Sequence, residues 1–256
     1  MEKISEHVTL LRVTDGDWTF SPALIYDGTE LILVDTCYLH QYENLKEEIV
    51  RAGFAMSDLT QLILTHQDGD HMAAARAVRG DAPRLRVLAH RLEAPCIDGS
   101  RLPIKLAAMG INIEAFSPVE MARYKQRKSA IDNGSTAVEQ ILEDGDVLPW
   151  CGGMEVIHTP GHTPGHISLF VREDGVLIPG DALLRAEGGE ELGNLVGPMG
   201  KVCQDIDEAM QSLRRFHDFP IQKVACFHGG VFEGDVQVAL WEIENVKGPY
   251  KGIRGD

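Results

Sequence analysis

The chain has 256 residues, 44% of them hydrophobic and 25% charged, the composition of an ordinary globular protein. A formal net charge of −15 argues against nucleic acid and against anionic membranes, both of which reward basic surfaces. No apolar run approaches the length of a membrane span, and Met1 to His7 holds no apolar signal core, so a cytoplasmic protein is expected.

The length suits one large domain, residues 1–256, with a substantial core. Val8 to Val13 reads as a first strand. Ala23 to Tyr26 and Leu31 to Val34 read as a hairpin turning at Asp27-Gly28, and the second strand ends in Asp35-Thr36-Cys37. Gln41 to Ala52 has an amphipathic pattern, with Leu45, Ile49 and Val50 inward and Gly53 just past its end. Gln61 to Leu64 is the apolar run of a buried strand.

That strand leads into Thr65-His66-Gln67-Asp68-Gly69-Asp70-His71, where four metal-capable side chains fall within six positions. From His71 onward the pattern is helical. A strand-to-helix loop is where ligands commonly bind in α/β folds. Gly69 lets the backbone turn tightly enough for Asp68, Asp70 and His71 to point into one volume. The competing reading is an N-capping aspartate beside solvent-exposed histidines.

Leu85 to His90 reads as another strand, and this alternation of strands and helices points to a layered α/β protein. Residues 91 to about 135, interrupted by Pro95, Pro103 and Pro118, read as an inserted helical or loop segment. Long insertions serve as lids or binding loops. Tyr124, Lys125 and Arg127, in its basic stretch, are therefore candidates to meet an anionic substrate; a solvated basic face is the equal alternative. Met109, Phe116 and Met121 are candidates for an apolar lid or a homodimer contact.

Strands resume at Ala137 to Leu142, Asp146 to Pro149 and Met154 to His158. Thr159-Pro160-Gly161-His162-Thr163-Pro164-Gly165-His166 follows. A hairpin of Ile167 to Val171 and Val176 to Pro179 ends in Gly180-Asp181. Residues 186 to 200 read as a Gly-rich loop, Ile206 to Phe216 as an amphipathic helix, and Lys223 to Phe227 as a last strand ending in His228-Gly229-Gly230. A final helix spans roughly Asp235 to Val246. The cysteines, Cys37, Cys96, Cys151, Cys203 and Cys226, are scattered without a CxxC pair; reduced thiols are expected, most of them as small buried packing residues.

Asp35, the cluster from His66 to His71, His162, Asp181 and His228 all follow apolar strand-like runs. Loops at one end of a sheet converge, so these groups can share a cleft. Their number suits a binuclear site, with about three protein ligands per metal, a bridge and an open water position.

In order, these motifs resemble those of the metallo-β-lactamase superfamily. They are Asp35 in Val-Asp-Thr, an HxHxDH-type cluster from His66, Thr-Pro-Gly-His162-Thr-Pro-Gly-His, Gly180-Asp181, and His228 before Gly-Gly. The stretch around His162 looks like the hydrolytic branch of glyoxalase II and the lactonases. The resemblance implies an αββα sandwich with a binuclear metal site at one edge of the sheets. It implies a first metal on His66, Asp68 and His162, a second on Asp70, His71 and His228, and Asp181 bridging them. Asp35 would stand behind a ligand and orient it. His166 is not expected to be a ligand, and His90 and His158 read as structural. The implied activity is metal-dependent hydrolysis of a small ester, thioester or lactone by a metal-bound hydroxide that Asp70 orients.

One position departs from the family pattern: Asp68 stands where a second histidine is usual. A third carboxylate makes the metals weaker Lewis acids and suits harder ions better. Two divalent ions, Zn²⁺ first and Mn²⁺ or Fe²⁺ next, remain the expectation, with loss of the first ion a lesser alternative. Flavodiiron proteins resemble this chain in carrying an acid (Glu) at this position, which raises a di-iron redox reading, although the chain has no room for their flavodoxin domain. A non-catalytic metal-binding domain is the third alternative.

Overall fold

Successive side chains of a strand point to opposite faces, so a strand buried on both sides must feed two cores. Leu31, Leu33, Leu62, Leu64, Val87 and Ala89 pack into one core. Their neighbours Ile32, Val34, Ile63 and Leu88 pack into another. This alternation sets the layering of the computed structural model, which describes residues 1–16, 18–187, 191 and 193–251.

The first sheet runs Glu2–Lys3, Val8–Leu10, Ala23–Tyr26, Leu31–Val34, Gln61–Leu64, Arg86–His90, Gln140–Leu142 in spatial as in chain order. Its last four strands are parallel. The second sheet runs Val147–Leu148, Met154–His158, Ile167–Val171, Val176–Ile178, Lys223–Cys226, Gly230–Phe232. The two sheets share a core in which Ile25, Ile32 and Ile63 meet Val156, Leu169 and Val176. Helices Tyr42–Arg51, Ala75–Asp81 and Pro118–Gly134 supply Leu45, Val78 and Ile131 to the outer face of the first sheet. Leu213, Phe216, Val236 and Leu240 cover the second sheet's outer face. The result is the four-layer αββα sandwich that the motifs implied. Among the described residues, no helix is long and apolar enough to cross a membrane.

Several expectations need correction. The first strand divides into Val8–Leu10 and Val13–Asp15, because the chain leaves the sheet where the Arg12 amide donates to Glu48 Oε2. Val50 is 59% exposed. The inward row of its helix is Tyr42, Leu45, Glu48 and Ile49, and position 50 is turned away from it by helical geometry. Pro118 starts a helix rather than breaking one, capped by Ser117, whose Oγ accepts from the Glu120 amide. The helix after Ile206 tightens into a 3-10 stretch at Leu213–Asp218. Part of the Gly-rich loop, residues 188–190 and 192, lies outside the described residues; within the loop, Leu195–Val196 pairs with Leu184–Arg185.

Candidate metal centre

Two loops from the first sheet meet three from the second at one edge. The Ile167 amide donates to Thr65 O across the gap, and the Ser21 amide to Phe227 O. Gly180 makes the tight turn before Asp181 at φ +56°. A Cβ there would lie 2.6 Å from His166 Nε2, so only glycine fits.

These loops gather the candidate residues into two groups. His66, Asp68, His162 and Asp181 form one; Asp70, His71 and His228 form the other. Within each, the potential ligand atoms lie within 4.8 Å of one another. Asp181 faces both. Its Oδ2 is 3.4 Å from His162 Nε2 and 3.9 Å from His66 Nε2. Its Oδ1 is 3.2 Å from His71 Nε2 and 3.4 Å from His228 Nε2. Asp70 Oδ2 lies 3.5 Å from His228 Nε2, and Asp68 Oδ2 2.9 Å from His162 Nε2.

Behind the rings, Asp35 sets orientation. Its carboxylate accepts from the Thr65 amide and hydroxyl, both at 2.8 Å, and from His71 Nδ1 at 2.9 Å. With its hydroxyl proton given to Asp35, Thr65 Oγ1 is free to accept from His66 Nδ1, 3.0 Å away. Both imidazoles therefore turn Nε2 toward the centre. There, among the described residues, His66 Nε2, His71 Nε2 and Asp181 Oδ1 are buried without a hydrogen-bond partner, although the last two face each other at 3.2 Å. Orphaned buried polar atoms are costly, and a cation is the group that satisfies two imidazole lone pairs and a carboxylate together. The donor set fits divalent metal.

The electrostatics agree. Burial disfavours a charged His71, yet Asp181, Asp35 and Asp70 raise it well above its usual range. Burial likewise opposes charge on His162, and Asp181 and Asp68 push it up to about 9. Burial pushes the Asp181 carboxyl up, but His71, His228 and His162 hold it well below the carboxylate range. The carboxylates thus demand positive charge, from protons or from metal.

A model of the metallo-beta-lactamase superfamily matches residues 17–228, a span that contains both groups. The chain belongs to the metallo-beta-lactamase superfamily. A probable metallo-hydrolase of Bacillus subtilis (strain 168), YflN, is 31% identical over 182 residues, 67% of this chain and 64% of its own. The hydroxyacylglutathione hydrolase of Cereibacter sphaeroides is 27% identical over 169 residues, 66% of this chain and 47% of its own. The match therefore spans less than two thirds of the length of each of these relatives. Among solved structures, the metallo-beta-lactamase family protein TTHA1429 from Thermus thermophilus has the same fold, with a TM-score of 0.68 at 23% identity over 93% of this chain and 78% of that one.

Other candidates of this superfamily member lie elsewhere. His166 has both nitrogens engaged: Nε2 accepts from the Asp181 amide at 2.9 Å, and Nδ1 meets Thr159 Oγ1 at 2.8 Å. His90 and His158 stack on each other at 4.4 Å. Tyr124 is 9% exposed and packs in the outer core of the first sheet, edge-on to Phe116. Lys125 and Arg127 are exposed, and Arg127 Nη1 donates to Met109 Sδ. The insertion reaches the centre through Lys105 instead, whose Nζ donates to Asp68 Oδ2 and lies 2.9 Å from His162 Nε2.

Sequence reasoning also missed the residues that brace the loops. Buried Glu93 accepts from the Gln67 amide and side chain and from the Gly165 amide. Cys203 Sγ sits 3.6 Å from His162 Nδ1, a site contact rather than simple packing. Phe227 stacks on His71 at 3.9 Å. Tyr38 lies against Gly69. Burial, Asp70 and Asp68 keep its phenol protonated.

Proposed function

We propose that this protein is a metal-dependent hydrolase acting on small carboxylic esters, thioesters or lactones. The observation that carries this reading is the division of the Asp181 carboxylate between two ligand groups, each with one buried imidazole nitrogen, His66 Nε2 or His71 Nε2, that has no hydrogen-bond partner among the described residues. His66, Asp68 and His162 would hold one divalent ion, and Asp70, His71 and His228 a second, with Asp181 shared. When bound, such ions polarise a carbonyl oxygen and make water acidic enough to attack near neutral pH. Zn²⁺ suits the histidine-rich set, while Asp68 adds tolerance for Mn²⁺ or Fe²⁺.

The chain's own residues do the rest. Asp35 and Thr65 fix the His71 and His66 tautomers, so their Nε2 lone pairs face inward. Asp70, with a side chain 17% exposed, stands where its carboxylate can orient an attacking water and take its proton. Two relatives named hydroxyacylglutathione hydrolase favour acyl substrates. The net charge of −15 disfavours a polyanionic one.

One observation favours a rival. The extra carboxylate of Asp68 makes the site oxygen-rich, as a di-iron redox centre would be. Elemental analysis of protein purified without added metal separates the two, together with rates on an aryl ester, a thioester and a lactone. Zinc or manganese, with turnover lost in Asp181→Ala, is the expected result. Iron without hydrolysis sinks the hydrolase reading.

A further inference from the structure

Lys105 is the part of the centre that the family pattern does not explain. Its ammonium donates to Asp68 Oδ2 and lies 2.9 Å from His162 Nε2. These are two of the four groups that would hold the ion on the Asp68 side. A neutral imidazole Nε2 has one lone pair, so it cannot accept from an ammonium proton and bind a metal at once. The same exclusion holds if that nitrogen carries a proton. Lys105 must leave His162 before a metal can take it.

Its placement is built in. Gln67 Oε1 accepts from the Ile104 amide at 2.7 Å, fixing the start of helix Ile104–Met109 beside the metal loop. Gln67 is itself held by buried Glu93. Lys105 and Asp68 thus come as a pair, an acid where the family has histidine and a cation delivered to it from the insertion. The charges point the same way. Asp68, Asp70 and Asp181 bring three negative charges, which one dication and one ammonium balance. The Lys105 side chain is 33% exposed, and its flexible stem gives the ammonium a path to solvent.

We propose that Lys105 is a resident cation competing with metal for the Asp68 half of the site, so that the protein holds one divalent ion tightly on Asp70, His71, His228 and Asp181 and a second one weakly. This inference rests on the metal-site reading above. It makes the second ion conditional: an event that draws Lys105 away, such as an anionic substrate pairing with it, opens the Asp68 half.

The test is metal stoichiometry and affinity, not turnover. Purified protein is stripped with a chelator, dialysed, and titrated with Zn²⁺ alone by calorimetry, and bound zinc is counted after dialysis. Wild type should retain one ion. Lys105→Met, which keeps the stem and removes the charge, should retain two, its second affinity rising by ~10–100-fold, the scale on which partners of metal ligands act. Lys105→Arg should stay like wild type. His162→Ala should leave the single wild-type ion in place yet remove the second ion from Lys105→Met, whereas His228→Ala should remove the tight one. Circular dichroism checks that each variant is folded. Two equally tight ions in wild type, or an unchanged second affinity in Lys105→Met, overturns the role of Lys105. Folded wild type and variants that bind no zinc overturn the metal-site reading itself, and this inference with it.

Discussion

Asp35 and His71 are joined through a 2.9 Å contact from Nδ1 to Oδ2, and Asp35 adopts φ +62° to make it. A non-glycine residue in the left-handed region is uncommon, and aspartate is among the residues that tolerate it. The same carboxylate takes both Thr65 donors, so one side chain positions the two histidines that face Asp181 from opposite groups. Asp35→Asn keeps the backbone preference but replaces one acceptor oxygen by a donor. Metal affinity should fall by ~10–100-fold, as for other groups that orient metal ligands. Calorimetric Zn²⁺ titration of the folded variant measures it, and an affinity within twofold of wild type, on the order of 0.4 kcal/mol, would dismiss the orienting role.

Gly180→Ala should damage the fold before it damages chemistry. The new Cβ would sit 2.6 Å from His166 Nε2 and 3.2 Å from Thr65 Cβ, at φ +56°. His166 could then no longer accept from the Asp181 amide. Left-handed strain and the broken contact together cost about 2–4 kcal/mol. For a chain of this size that lowers Tm by roughly 5–12 °C. A calorimetric scan reads this directly; an unchanged Tm would mean that the turn relaxes without loss.

What the sequence showed and what it hid divide along a physical line. Leu31–Val34, Gln61–Leu64 and Ile167–Val171 were legible to the residue, because a doubly buried strand is a nearly continuous apolar run, broken in these three only by Gln61 at an end and by the buried Ser168. Asp35, the cluster from His66, and Asp181 were legible because they sit directly after such runs. Lys105, Glu93 and Cys203 were not. Lys105 meets a partner 37 positions away, Glu93 one 26 away, and Cys203 one 41 away. No local pattern encodes such contacts; they depend on the path of the insertion and of the loop before Ile206–Ser212. The basic run at Arg123 to Lys128 stands out locally, yet the cation that meets Asp68 is Lys105. Local charge density says nothing about which cation the fold carries inward.

Glu93 carries a disproportionate share of that long-range order. It is fully buried and accepts three hydrogen bonds, two from Gln67 and one from Gly165. These tie the insertion to the loop of His66 and to the loop of His162. Glu93→Ala would strand three buried donors, at a cost of about 3 kcal/mol or more. Hydrogen exchange should accelerate in residues 66–71 and 159–166 while the strands Leu31–Val34 and Met154–His158 stay protected. Uniform acceleration across the whole chain would instead mean that Glu93 supports the fold at large and not these two loops.

The metal-free protein should be most stable near pH 6.5 and lose stability on both sides. His71 and His162 have folded values above their unfolded ones. Their contribution is complete below the unfolded value of 6.5 and is lost as pH rises through the folded one, about 9 for His162. His66 and His166 are shifted the other way, by burial first and then by His71 for His66 and His66 for His166, so they cost stability as pH falls below 6.5. Asp181 and Asp68 keep their contribution until pH drops through their depressed folded values. Metal should remove the His71 share of the alkaline arm, because ligation needs neutral imidazole and gains as protons leave, while His162 beside Lys105 and Asp68 keeps its own share. Melting temperatures of chelated and Zn²⁺-loaded protein between pH 6 and 9.5 check this. The two curves should diverge with rising pH, and parallel curves would mean that His71 is not a group the metal takes.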